Sequence, residues 1–290
     1  MTLFAQILQY TISGLTGGSI YAIIGVCWSL VYLVTTVLNF ATGEFVMLGG
    51  MLTWGFHKAG LSLASSAFLA VIFTIIFAIL LERAVIRPVR FPTELTYMMI
   101  TIASASVIKG IILLVWGSET RSIEPFFGTR VIQIAGASIT PQVIAVLGLL
   151  IFVTTGLALF LDRTLFGKAL RASAINMVGA QLMGIDISMV RLFCFALAGF
   201  LGALTGIFIA PITFTGYEVG MLTGLKGLVA AIVGGWTIPG TVLAGLTLGL
   251  LEGFCAGFIS SGLKDVFALL VMILFLLFET ISFSKREKKR

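Results

Sequence analysis

Apolar runs long enough for a bilayer recur along the whole chain, separated by short polar or basic stretches. A helix needs roughly 17–25 mainly apolar residues to cross the hydrocarbon core. Runs of that kind fall at about 4–38, 62–81, 95–117, 142–161, 189–210, 239–258 and 265–283. Two further apolar pieces, 45–56 and 224–236, are only marginally long enough. The pattern predicts an all-α, polytopic membrane helix bundle of eight or nine transmembrane helices, forming one domain over 1–290. Tyr97 and Trp116 would mark the two interfaces of one of these helices, about 28 Å apart at 1.5 Å per residue.

Composition strengthens this reading. Of the 290 residues 59% are hydrophobic and only 10% charged, against about 25% charged in soluble domains. So few charges cannot cover a water-soluble surface, and lipid is the expected solvent for most of the exterior. A soluble enzyme, a disordered tail and a secreted disulfide scaffold are excluded. Cys27, Cys194 and Cys255 each lie within an apolar run without a shared short spacing, and His57 is the only histidine. Neither a metal site nor a cofactor is expected. The N-terminus has no basic region ahead of its apolar run, so the first segment is expected to stay in the mature protein.

Net charge is +6, and its distribution sets orientation. Arg83, Arg87 and Arg90 fill one loop, Arg163, Lys168, Arg171 and Arg191 another, and Lys285, Arg286, Lys288, Lys289 and Arg290 a basic tail over 284–290. These twelve are two thirds of the 18 basic residues, so all three regions are expected in the cytoplasm. No basic face with aromatic readers is present to suggest nucleic acid. The 118–141 loop, where Glu119 and Glu124 offset Arg121 and Arg130, belongs outside. Parity between Glu218 and the tail then requires 224–236 to cross. Counting back from Arg83 makes 45–56 a crossing and places the N-terminus outside, for nine crossings; a re-entrant piece would leave eight.

Both short segments are interrupted by small residues: Asn39-Phe-Ala-Thr-Gly-Glu44 before Met47-Leu-Gly-Gly50, and Gly234-Gly-Trp-Thr-Ile-Pro-Gly240. Matching interruptions in two related halves are a pointer to a translocation path, and they nominate Asn39, Thr42, Glu44, Gly234, Gly235 and Pro239. Ordinary helix kinks are the structural alternative. Gly245, Gly249, Gly253 and Gly257 recur every fourth residue, as do Gly202 and Gly206, which gives faces on which membrane helices can pack closely.

Five charged residues stand in or beside apolar runs: Glu44, Lys109, Glu218, Lys226 and Glu252. A charge at bilayer depth costs several kcal/mol and is a functional hypothesis by default. Lys109 is expected to snorkel near Trp116, Glu218 and Lys226 to sit at the outer rim, and Glu252 to act as a structural carboxylate by the glycine seam. Glu44 is the best site candidate, with a carboxylate stabilised at a helix N-terminus as its rival. The 162–191 loop carries a helix-compatible run from Lys168 to Met183, closed by Gly184, with Ile175, Val178 and Leu182 on one side. Such a helix suits the bilayer surface or a partner's groove. The chain has no phosphate-binding loop, nucleophile elbow or metalloprotease motif.

As an ordered set, four stretches resemble the LivH type of branched-chain amino-acid ABC-importer permease. They are Asn39 to Gly49; Glu82-Arg-Ala-Val-Ile-Arg-Pro-Val-Arg90; Gly167-Lys-Ala-Leu-Arg-Ala172 with Asn176, Ala180, Gly184 and Ile185; and Gly234 to Thr241 continuing to Glu252. The resemblance implies a transport subunit with no catalysis of its own. It further implies a second permease, of a LivM-type paralogue, two cytoplasmic ABC ATPases and a periplasmic solute-binding protein, all at a bacterial inner membrane. It assigns ATPase coupling to Lys168, Arg171, Ala172, Ile175, Asn176, Leu182, Gly184 and Ile185. Thr42 stands where the family usually has histidine, which leaves the substrate open among branched-chain or other hydrophobic amino acids, urea and short amides. The rival class is an intramembrane lipid-modifying enzyme, which would need a polar cluster facing lipid or a cavity. Reporter fusions at both ends should place the N-terminus outside and the C-terminus inside; both ends on one side would remove a crossing.

Overall fold

The computed structural model of the chain describes residues 3–89, 93–128, 130–134 and 136–258, and beyond these only 262, 266 and 270. Most of the apolar run 265–283, the whole basic tail 284–290, and Arg90 therefore lie outside the described residues.

Among the described residues ten α-helices carry the fold. They are α1 (Leu3–Thr35), α2 (Thr42–Lys58), α3 (Leu63–Leu80), α4 (Glu94–Trp116), α5 (Pro141–Arg163), α6 (Leu165–Ile175), α7 (Met177–Leu182), α8 (Ile187–Thr213), α9 (Val219–Val233) and α10 (Ile238–Phe258). Six are long and apolar enough to cross a membrane, α3 being counted with the π turn Leu81–Ile86 that continues it. The chain is thus a polytopic helical membrane protein. The 118–141 loop also holds a feature unmarked by any alternation in the sequence. Strands β1 (Ile132–Ile134) and β2 (Ala137–Ile139) form an antiparallel hairpin seated on the start of α1, where Gln9 Oε1 accepts from the Ser138 amide at 2.8 Å.

Local chemistry sets the helix ends. Ser62, Thr93, Thr164, Asn176 and Asp186 each accept a backbone N–H of the following turn, satisfying donors that a helix start leaves open. Pro141 takes the first turn of α5. The run from Lys168 to Met183, expected as one helix, is broken at Asn176. Its extended backbone (φ −154°) ends α6, and its side chain caps α7 through the Gly179 amide at 2.9 Å. Capping Asn competes with helix continuation, and that local preference prevails here. Gly184 then adopts φ +83°, with its amide on Gln181 O and the Ile185 amide on Ala180 O. This is a Schellman ending, which needs glycine or asparagine.

Packing centres on α1, of whose span 83% is buried, against 17% for α4 and 22% for α3. Helices 3, 4 and 5 present the outward apolar surface, including Phe68, Leu114 and Phe152. Between membrane helices there is no hydrophobic driving force, and close packing takes its place. The seam of Gly245, Gly249, Gly253 and Gly257 lies against Ala22, Gly18, Gly14 and Tyr10 of α1. A β-carbon on Gly245 would sit 2.6 Å from Ala22 Cα, and one on Gly18 would sit 2.9 Å from Gly245 O. Gly202 and Gly206 of α8 face Phe45 and Val46 of α2 in the same manner. Overpacking typically costs about 1–3 kcal/mol even where neighbours can shift; here the neighbour is backbone. Gly249→Leu should lower thermal stability by at least that amount, while Gly148→Leu, where added bulk meets open space, should not. Thermal denaturation of the purified protein checks the contrast.

Candidate functional site

The chain leaves α1 through Thr36, at φ +54°, and runs buried to α2. This connector is held from inside. Asn39 Oδ1 accepts from the Ala41 amide at 3.1 Å, Thr42 Oγ1 donates to Asn39 O at 2.7 Å, and Thr101 of α4 donates to Leu38 O at 3.1 Å. Asn39 and Thr42 are fully buried, and Asn39 Nδ2 has no partner. Helix α2 begins only at this point, so its first residues stand at depth between other helices.

Those first residues meet the start of α9. A β-carbon on Gly43 would lie 3.0 Å from Gly224 Cα, and one on Gly220 would lie 2.7 Å from Glu44 Oε2. The two short helices therefore cross where neither has a side chain. Trp28 of α1 completes the junction by donating from Nε1 to Gly224 O at 3.1 Å. Beside it lies a cavity of about 290 Å³, lined by Trp28, Phe40, Glu44, Ile102, Lys109 and Met221 among others. Glu44 is 3% exposed and its Oε2 has no hydrogen-bond partner. Lys109 enters the same cavity with its ammonium 5.1 Å from the Tyr217 ring, instead of snorkelling to Trp116. That indole packs over Gly55. The arrangement offers a carboxylate and an ammonium across a chamber whose remaining lining is apolar but for Ser106.

A second charged group was misplaced by sequence reasoning. Lys226 is not at the rim: it is 8% exposed and donates to Glu252 Oε1 of α10 at 2.8 Å and to the Tyr21 hydroxyl of α1 at 3.1 Å. Glu218 is exposed as expected. Lys226 lies within α9 on the side that meets Tyr21 of α1 and Glu252 of α10. The signal available was the charge balance itself: two opposite charges within apolar segments call for one another. A third pair, Arg191 Nε to Glu82 Oε1 at 2.7 Å, ties α8 to the π turn, with Glu82 1% exposed. Neither residue was nominated as a site, because their partnership exists only in three dimensions.

Gly234, Gly235 and Pro239 stand apart from the Glu44 cavity. Gly235 (φ +62°) and Trp236 (φ +59°) make the turn between α9 and α10, where Trp236 stacks on Tyr32 with ring centres 4.0 Å apart. Pro239 lines a different chamber, an apolar groove of about 710 Å³ that also takes in Leu30, Leu161, Leu170, Arg171 and Val242. The groove thus links the second interruption to α6. Within α6–α7, Ala172 and Ile185 are partly buried, whereas Lys168, Asn176 and Gly184 are exposed. Ile175, Val178 and Leu182 are 87, 66 and 83% exposed despite being apolar. Arg171 pairs with Asp162 of α5.

A polytopic helix bundle with charged groups turned into internal chambers and an apolar arm left bare is the build of a membrane transport subunit. Residues 10–276 match the family described as "Branched-chain amino acid transport system / permease component", and the chain belongs to that family. It is 30% identical over 287 residues to the high-affinity branched-chain amino acid transport system permease protein BraD of Pseudomonas aeruginosa, covering 93% of each chain. Identity to the LivH permease protein of the corresponding system in Escherichia coli K12 is 28% over 290 residues, covering 93% of this chain and 94% of the other. Among solved structures, PsaBC from Streptococcus pneumoniae in complex with Fab matches at TM-score 0.50 and 12% identity, over 95% of this chain and 90% of that one, a likeness of fold.

Proposed function

We propose that the chain is the membrane subunit of a binding-protein-dependent ABC importer carrying branched-chain or other hydrophobic amino acids across the bacterial inner membrane. The observation that carries this reading is the chamber between α1, α2, α4 and α9. An amino acid presents an ammonium, a carboxylate and an apolar side chain, and the chamber presents Glu44, Lys109 and a wall of Trp28, Phe40, Ile102 and Met221. Urea and short amides have no charged pair to answer Glu44 and Lys109. Asn39 and Thr42 hold the connector that places Glu44, so their part is positional. The substrate moves; no bond of it is broken, and nucleotide hydrolysis falls to two partner ATPases. A second permease subunit and a periplasmic solute-binding protein complete the assembly.

Coupling to the ATPases runs through α6 and α7. A subunit without a nucleotide site receives mechanical work through a contact. The bare side chains of Ile175, Val178 and Leu182, on a two-helix arm capped at both ends, are suited to fill a groove in a cytoplasmic partner. Movement of α6 would reach Pro239 through the groove they share with Arg171.

Two measurements test this. In proteoliposomes holding the whole importer, Glu44→Gln should lower leucine uptake at least 10-fold with assembly unchanged; unaltered uptake of every candidate solute would return Glu44 to a helix-end role. Ile175→Asp with Leu182→Asp should release the ATPase or uncouple its hydrolysis from uptake, with the permease still folded. Wild-type assembly, hydrolysis and uptake in that double variant would end the coupling assignment.

A further inference from the structure

A crevice of about 440 Å³ lies away from the Glu44 chamber, between α1, α10, the start of α5 and the end of α8. Gln9, Ser13, Thr16, Thr140 and Thr213 contribute its polar wall, and Tyr21 and Glu252 stand in it as well. Glu252 is the one carboxylate there. It is 9% exposed; Lys226 donates to its Oε1 at 2.8 Å, and the Tyr21 hydroxyl stands against the same carboxylate. The other oxygen, Oε2, is buried without a partner. A buried carboxylate oxygen left without a donor is costly, and burial of the pair is already expensive. An orphan of this kind calls for a donor that comes and goes.

The rest of the wall says what kind of donor. The Thr16 hydroxyl spends its proton on Ile12 O at 2.7 Å, and the Thr213 hydroxyl spends its own on Phe214 O at 3.3 Å or Ile209 O at 3.5 Å. Their oxygens are left as acceptors. The wall thus sets these two acceptor oxygens beside Gln9, Ser13 and Thr140, which can donate or accept, and holds a carboxylate whose partner cation, Lys226, approaches from the α9 side. Such a surface takes a group with several N–H donors and a positive charge.

We propose that this crevice is a second solute site, recognising a primary ammonium group through Glu252 Oε2 with Thr16 and Thr213 as supporting acceptors. The ammonium belongs either to an amino acid on its way through the importer or to free ammonium ion. The first source rests on the importer reading above; the site itself does not. Gln9 lies where the crevice meets the hairpin β1–β2.

The test uses Ser13→Cys, an exposed position on the crevice wall, in the complete importer reconstituted in liposomes. The native cysteines, all three buried, set the background in the unaltered chain. Aminoethyl methanethiosulfonate should modify Cys at 13 at least 10-fold faster than sulfonatoethyl methanethiosulfonate, after correction for their rates with a free thiol. Leucine should protect, and 4-methylpentanoate, which is leucine without its ammonium, should not. Protection by ammonium chloride as well would assign the site to the bare ammonium group; protection by leucine alone would assign it to the amino acid. Glu252→Gln should abolish the charge preference. Because that change strands Lys226, the neutral pair Lys226→Gln with Glu252→Gln should do the same in a chain without a stranded charge. Equal rates for the two reagents, protection by neither solute, or a preference surviving in both variants would overturn the proposal. Leucine uptake by the wild type is measured in parallel: its absence beside an intact ammonium preference would sink the substrate reading and leave this site standing.

Discussion

Backbone contact across side-chain-free faces is the interaction on which everything else in this molecule rests. In lipid an extra leucine gains nothing by facing another helix. Cohesion comes from how near two helices can approach, and α1 is the common partner of these approaches. Gly14 and Gly18 receive α10, Gly25 receives α9 at Gly227, and the α2–α8 crossing repeats the device through Gly49, Gly202 and Gly206. Because the approaches are so close, the polar groups beside them are held at fixed separations. Ser29 and Thr241, 3.0 Å apart across α1 and α10, are one result; the pair of Lys226 and Glu252 is another.

Charge placement follows from that framework. Each buried ionic contact bridges separate elements: α9 to α10 through Lys226 and Glu252, and the π turn to α8 through Glu82 and Arg191. A lone charge at this depth would shift or expel itself, so pairs tie the elements together wherever both members are present. The exception is instructive. Glu44 and Lys109 share a chamber of mostly apolar lining, where the proposed zwitterion would lie between them.

Much of this was legible in the residues. The apolar runs up to residue 258 gave helix positions to within a few residues, because period and length alone decide where a membrane helix lies; α4 at 94–116 against an expected 95–117 is typical. The fourfold glycine spacing announced a packed face, though not that α1 was its partner. What escaped were features settled by tertiary placement. Lys226 reads the same whether its side chain meets Glu252 of another helix or turns away from the bundle. Asn176 reads as an ordinary polar residue in a helical run until its side chain is seen to cap α7. The hairpin over 132–139 is only three residues a strand, too short for alternation to show. The two interruptions looked equivalent in the sequence, yet one opens on Glu44 and the other on the apolar groove beside Arg171.

The neutral bookkeeping of the buried charges has an electrical consequence. Moving one elementary charge across the full membrane potential involves about 2.3 kcal/mol per 100 mV, so a helix carrying an unpaired carboxylate through part of the bilayer would couple its motion to voltage. Lys226 on α9 and Glu252 on α10 stand 2.8 Å apart, and any rocking that carries both displaces equal and opposite charge. A movement that keeps this one pair together therefore carries almost no net charge of its own through the membrane field.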